Sequence, residues 1–542
     1  MKLQALPAAF FLLFASVAIV LSYWIGWAFW NPFLVGALSL GACYLLRGEC
    51  VKNFSLPIPP LALCFAAIAA FLAIYPAVFV TPGYMGSADS MHITHLRLLT
   101  DRIPATYEPY SPLQLYYFLG FTFVAKIAAT ILPFISDNLI LILLGGLFVG
   151  LQSVLVFLIG REIGKSEDAG IFAALLFTGT KFAFQNMYYG LFPWVLGTTL
   201  FLFLVLAALR KSRLAFIAFP AMALTHIAPV MYFASAAFFS LLLLRPKADI
   251  RGELPLWAGA FALAAPILPT YYAFFADGIS MNSSGAMPLT FGFSMQGILV
   301  AGLFLGLGPL VVFAACLALW LRNPKLSAEH FLLLAVFFSG TAVFLVLGSS
   351  SVLFQKIQEL SGIAAVLFCG LVISTIRFTS ALHKNAAFAL LLAFMIAGFF
   401  SSGTLHMLSE GSKITPQDAA FSFRFREAFP ERARVLFVSP SSPTMAALSD
   451  KIPYNVLDGF FVSLVGKSFD PAYVAEQKKS ALQEQIVHER CHSCIGAVDV
   501  KYIAAPKGFF SEPLQYPIVF EYGGYTVYQK PALAAQSQTA GG

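Results

Sequence analysis

The chain has 542 residues, of which 59% are hydrophobic and only 11% are charged. A soluble globular protein carries about 25% charged residues, so the composition excludes one and calls for a bilayer. The net charge of +7 needs no nucleic acid to explain it, because the basic residues fall in short loops between apolar runs.

A membrane crossing takes about 20 apolar residues. Runs that reach or approach this length cover 8–28, 31–47, 60–80, 139–160, 169–185, 191–209, 214–226, 228–244, 256–276, 294–320, 329–348, 359–377 and 385–403. They predict a polytopic α-helical membrane protein of about 13 spanning helices. The first run follows Lys2 as a signal peptide would. Trp24, Trp27 and Trp30 stand where a small-residue cleavage site belongs, which predicts a retained anchor.

Arg47 and Lys52 share one loop, Arg161 and Lys165 a second, and Arg210, Lys211 and Arg213 a third. Arg245, Lys247 and Arg251 follow, then Arg322 with Lys325, then Arg377 with Lys384. All six clusters fall on one cytoplasmic side, provided that the apolar stretch 113–133 does not cross. That stretch is therefore expected to be a helix at the outer surface, inside one long outer loop over 81–138. Lys126 within it suits an interfacial position.

The outer loop concentrates the polar chemistry. Asp89, His92 and His95 recur every three residues, which keeps them on one broad side of a helix over 90–102 that ends before Pro104. Asp89 is read as a general base or a metal ligand, or as the N-cap of that helix. The histidines could bind metal or substrate, or make ordinary hydrogen bonds. Arg97 and Arg102 suit a phosphate or lipid headgroups. Next comes Tyr107-Glu108-Pro109-Tyr110-Ser111-Pro112-Leu113. Its two prolines force a rigid, extended segment, either a loop that positions substrate or a plain connector. Asp89 and Glu108 are the candidate catalytic acids, and Tyr107 and Tyr110 candidate substrate contacts.

Further along, His226 follows Thr225 and precedes Pro229 at the outer end of a short span. It is a functional candidate or a buried, hydrogen-bonded histidine. Lys356, in an outer connection beside Glu359, is a phosphate contact or a solvated loop lysine.

Beyond residue 403 charge returns and apolar runs shorten. Ala433–Val438, Val500–Ala504, Ile518–Tyr522 and Tyr525–Tyr528 read as strands, and Pro471–Arg490 as an amphipathic helix. Gly523-Gly524 suits a tight hairpin turn. The expected organisation is a membrane domain over 1–403, an extracytoplasmic α/β domain over 404–531, and a disordered tail over 532–542. Cys43, Cys64, Cys316 and Cys369 lie in apolar runs as packing residues. Cys491 and Cys494 form a CxxC, read as a disulfide, with a zinc site shared with His488 and His492 as the other reading.

An acid soon after an early span, then the Tyr-x-Pro-Tyr-x-Pro-Leu element, then an apolar helix: this resembles the first outer loop of GT-C glycosyltransferases. That superfamily includes protein mannosyltransferases, aminoarabinose transferases and oligosaccharyltransferase catalytic subunits. Leu224-Thr225-His226 and Asp499-Val500-Lys501-Tyr502-Ile503 are similar to further elements of such enzymes. The resemblance implies transfer of a sugar from a polyprenyl-phosphate carrier to a lipid, glycan or protein acceptor at the outer face of the plasma membrane, with Asp89 as base and inversion at the sugar. This chain departs from the pattern in having Ser90 in place of a paired acid and no Asp-x-Asp near Tyr188–Trp194. No cofactor is fixed by the sequence, and a divalent metal is the one candidate. The stretch Gly278–Gly292 carries no sequon-reading motif. Two other classes stay open: a lipid-linked-sugar flippase or other secondary transporter, which would favour inverted repeats, and a membrane-anchored assembly protein, which would not need the acidic loop.

Overall fold

The computed structural model describes residues 3–25, 31–75, 77, 79, 89–99, 103–115, 117–180, 184, 187–188, 190–244, 250–278, 307–322, 328–347, 352–376, 380–399, 414–439, 441–457 and 470–531. Helices dominate. Among the described residues five are long and apolar enough to cross a membrane: Leu6–Ile25, Asp137–Gly164, Phe192–Leu209, Glu253–Ala273 and Lys356–Ser374. With the shorter apolar helices around them, they make the chain an integral membrane protein.

In chain order the first helices are α1 (Leu6–Ile25), α2 (Pro32–Leu45), α3 (Arg47–Phe54), α4 (Pro60–Tyr75), α5 (Asp89–Leu98), α6 (Gly120–Ile131), α7 (Asp137–Gly164) and α8 (Glu167–Phe177). The run expected over 31–47 is taken up almost entirely by α2, and the chain bends by 59° where α2 meets α3. Strand β1 (Leu3–Gln4) pairs with β2 (Pro57–Ile58) and ties the N-terminus to the base of α4.

The 28 residues of α7 span about 42 Å at 1.5 Å per residue, against about 30 Å of hydrocarbon. Its two ends therefore mark two faces. At the Gly164 end, Arg161 Nη1 donates to Pro57 O at 2.9 Å, and Arg210 bonds both Asn53 O (2.8 Å) and Glu162 (2.7 Å). Lys384 pairs there with Asp168 in α8. At the Asp137 end, Arg97 bridges Asp137 and Asp450. Residues of α5 and of the C-terminal part thus share one face, and the basic connections share the other.

The helix expected over 113–133 is shorter, Gly120–Ile131. Residues 105–115 are taken up by a turn whose own backbone bonds compete with a helix. One face of α6 is buried, with Phe121, Phe123, Val124 and Ala125 packed where it meets α1, α2 and α7. Lys126 Nζ donates to Leu96 O at 3.2 Å, fixing α6 to α5.

The C-terminal domain is a five-stranded mixed sheet of order β4-β3-β5-β7-β6. Its strands are β3 (Arg434–Phe437), β4 (Ile452–Pro453), β5 (Tyr502–Pro506), β6 (Ile518–Tyr522) and β7 (Tyr525–Gln529). β3 runs parallel to β4 and β5, and the last hairpin is antiparallel. Gly523 and Gly524, at φ +56° and +81°, make the turn that only glycine enters cheaply. Helices Pro416–Ala428, Ser442–Ser449 and Tyr473–His488 cover the sheet.

Candidate active site

Ser90 through Leu96 of α5 are all buried, although the sequence places this helix in a polar loop. It is sandwiched between α6, α7 and the C-terminal helix Ser442–Ser449. His95 Nε2 lies 3.0 Å from the Tyr107 hydroxyl, so one histidine is fixed by the turn that follows. His92 packs its ring against Tyr117 (5.8 Å), Phe192 (5.5 Å) and His95 (6.0 Å). Neither ring nitrogen of His92 has a hydrogen-bond partner among the described residues, an arrangement that costs about 1–3 kcal/mol per buried group. Burial holds the His92 pKa down to about 3. Burial, and then His92, push that of His95 well below its ordinary value. Both rings are neutral at pH 7. The side chain of Asp89 and the whole of Arg102 lie outside the described residues; the backbone of Asp89 opens α5, one turn ahead of His92.

The proline-bearing segment closes into a tight loop. Tyr107 N donates to Leu113 O (2.9 Å), Leu115 N to Ala105 O (2.9 Å) and Tyr110 N to Tyr107 O (2.8 Å). Tyr107 and Tyr110 are buried, while Glu108 between them is exposed. The two tyrosines part company: Tyr107 meets His95, and Tyr110 donates to Asp450 Oδ1 at 3.4 Å. Arg97, expected at a phosphate or a headgroup, is instead occupied by protein. Its guanidinium reaches Ala447 O (2.5 Å), Asp450 Oδ1 (3.2 Å) and Asp137 Oδ2 (3.5 Å), with the side chain only 10% exposed.

A second pole forms around Trp194. Lys356 was expected in an outer connection. It lies within the helix Val352–Ser374 and is buried, with Nζ 4.6 Å from the centre of the Trp194 ring. That is cation–π distance. His226 sits at the break between helices Ala215–Ala223 and Ile227–Leu244. Its Nδ1 accepts from Ala228 N at 3.2 Å, its ring meets Trp194 edge-on at 5.2 Å and it stacks on Phe118 at 5.6 Å. The break is held from both sides. Tyr271 Oη donates to Ala223 O at 2.8 Å, and Gly120 gives α6 room beside Thr225.

One aromatic wall joins the two poles. His95 lies 4.9 Å from Tyr117, Tyr117 lies 6.2 Å from Phe118, and Phe118 carries His226. Residues 130 positions apart, His226 and Lys356, thus meet on one indole. Sequence reasoning missed Trp194, Tyr117 and Phe118. The Tyr-Tyr-Phe run just after the proline turn was the available signal. Cys491 and Cys494 are joined in a disulfide in the C-terminal domain. Among the described residues no group of three His, Cys, Asp or Glu side chains could hold a metal ion.

The fold is shared with solved integral-membrane glycosyltransferases. ArnT from Cupriavidus metallidurans, in a structure bound to undecaprenyl phosphate, matches at TM-score 0.54 and 11% identity, over 86% of this chain and 97% of that one. The arabinofuranosyltransferase AftD from Mycobacteria matches at TM-score 0.52 and 14% identity, over 86% of this chain and 40% of AftD. The apo oligosaccharyltransferase of Archaeoglobus fulgidus, at TM-score 0.48 and 14% identity, covers 83% of this chain and 69% of its own. At such identities the likeness is one of fold. No protein-family model matches the chain, and no curated protein does.

Proposed function

We propose that this protein transfers a sugar from a polyprenyl-phosphate carrier to an acceptor at the outer face of the membrane, with inversion. One observation carries the reading: a buried cation over an indole, Lys356 on Trp194, is joined by an unbroken aromatic wall to the helix that Asp89 opens. A lipid carrier must present its phosphate where its tail still lies in the bilayer. Lys356 and His226 suit the phosphate, and Tyr117, half-buried on the wall, offers an aromatic ring to a sugar. The acceptor hydroxyl gives its proton to Asp89 as its oxygen bonds the anomeric carbon from the side opposite the phosphate. The bond from that carbon to the phosphate oxygen breaks, and the leaving polyprenyl phosphate gains its charge beside Lys356. Glu108, exposed on the outer turn, meets an arriving acceptor first. The fold of ArnT, solved with undecaprenyl phosphate, supports a donor of this class.

The test supplies membranes containing the protein with radiolabelled sugars linked to undecaprenyl phosphate and to dolichyl phosphate. Label is expected to leave the carrier with the wild type and to do so about 100-fold or more slowly with Asp89→Asn. Near-normal turnover by the Asn variant would leave Asp89 as a helix-end residue. No transfer by the wild type from any donor would sink the reading itself.

A further inference from the structure

Asp450 lies far from the membrane helices in sequence, yet it touches the outer loop twice. It follows the helix Ser442–Ser449, which packs on α5, and holds a left-handed backbone at φ +56°. Few residues other than glycine adopt that conformation, aspartate among them. Its Oδ1 accepts from Arg97 Nη1 (3.2 Å), Tyr110 Oη (3.4 Å) and Arg432 Nε (3.2 Å). Arg97 lies two residues beyond His95 on α5, and Tyr110 three residues beyond Tyr107 in the turn. His95 and Tyr107 are themselves bonded at 3.0 Å. The contacts therefore close a ring: α5, Arg97, Asp450, Tyr110, the turn, Tyr107, His95 and back to α5. A second carboxylate grips the far end of the turn, where Asp470 Oδ2 accepts from Gln114 N at 2.6 Å while its Oδ1 caps Ala472 N at 2.9 Å.

We propose that the C-terminal domain is a clamp on the catalytic loop, with Asp450 as the positioning residue that sets α5 against the Tyr107–Leu113 turn. The clamp stands on contacts alone, and its bearing on turnover rests on the function proposed above. Ordinary docking of a domain would ask only for buried area. This contact instead places one carboxylate on both elements that the His95–Tyr107 bond joins, through Arg97 of α5 and Tyr110 of the turn, so that losing it frees the two elements to slide against each other. Reacting groups displaced by about 1 Å lose roughly 100-fold in rate.

The experiment compares Asp450→Asn, Asp450→Glu and the milder Tyr110→Phe with the wild type. Amide exchange is followed by mass spectrometry, binding is measured with undecaprenyl phosphate as the probe, and turnover with the labelled donors. For Asp450→Asn, exchange is expected to rise about tenfold in peptides over 89–99 and 105–115 while β3 and β5 keep their protection. Affinity for undecaprenyl phosphate is expected to stay within about twofold, since Lys356 lies at the other pole. The maximal rate should fall about tenfold or more with little change in KM, and Asp450→Glu should recover part of it. Tyr110→Phe should loosen 105–115 alone. Exchange in α5 equal to wild type in Asp450→Asn would overturn the clamp. So would raised exchange with an unchanged maximal rate, or exchange raised equally throughout the C-terminal sheet. A wild type inactive on every donor would count against the proposed function, and the exchange arm would then judge the clamp alone.

Discussion

The Lys356 ammonium sits 4.6 Å from the centre of the Trp194 ring, inside the protein and against the same indole that meets His226 edge-on at 5.2 Å. Trp194 thus holds the cation and an imidazole side by side at one pole. Lys356→Met keeps the stem and removes the charge. Undecaprenyl phosphate should bind roughly 10- to 100-fold more weakly, the range lost with a hydrogen bond to a charged group, and titration of Trp194 fluorescence would report it. Unchanged affinity would move the phosphate away from this pole.

Much of the fold was legible because apolar runs report directly on burial in lipid. The runs at 191–209 and 329–348 fall within two residues of helices Phe192–Leu209 and Ala328–Leu347. The Gly523-Gly524 hairpin was equally plain, since two adjacent glycines name the turn. The helix Pro416–Ala428 was missed although its signal was present: Thr415 and Asp418 form a capping box, each side chain taking the other's backbone N–H. The ion pairs that assemble the site were not legible. Arg97 and Asp450 lie 353 residues apart, and a lone arginine on a polar helix reads the same whether it meets a phosphate, a headgroup or a carboxylate. Lys356 was misread for a related reason. Its neighbours Gln355, Gln358 and Glu359 make the start of the helix polar, and hydropathy alone places such a stretch in a loop.

Acid should weaken this protein through α5. Burial holds His92 at about 3, against an ordinary value of about 6.5 in the unfolded chain. The unfolded state therefore takes up a proton below pH 6.5 that the native state refuses. The stability tied to His92 is complete above about pH 6.5 and is lost as the pH falls toward 3, by up to about 1.4 kcal/mol per pH unit. His95 acts in the same direction. Melting in detergent between pH 8 and pH 5 should show a shallower decline for His92→Leu than for the wild type. Parallel declines would mean that His92 is not held neutral.

Gly120 is needed for space. A methyl group there would lie 2.3 Å from Thr225 Oγ1 and 3.0 Å from the Thr225 Cα, and the backbone atom cannot swing away. Gly120→Ala is expected to cost about 1–3 kcal/mol, the usual range for overpacking, and to disturb His226 in the next position. Thr225→Ala in the same molecule removes the nearer clash and should restore part of the melting temperature. An unchanged melting temperature in the single variant would show that α6 does not abut Thr225.

The two ends of α7 supply a test of which face is outside. Ser136 precedes its first residue, and its Oγ accepts from Leu139 N at 3.4 Å; Ser166 lies past its other end, before α8. The helix is longer than the hydrocarbon is thick, so the two serines stand on opposite faces. Arg161, Arg210 and Lys384 gather at the Ser166 end, and basic loops stay in the cytoplasm. The Ser136 end carries Asp137, Arg97 and the C-terminal domain. A cysteine placed at Ser136 should react with an impermeant maleimide in intact cells, and one placed at Ser166 only after the membrane is opened, with the wild-type cysteines as background. The reverse pattern would put α5, the Tyr107–Leu113 turn and the disulfide-bearing domain in the cytoplasm. It would remove a carrier presented at the outer face as the donor, and only the relative geometry of the two poles would survive.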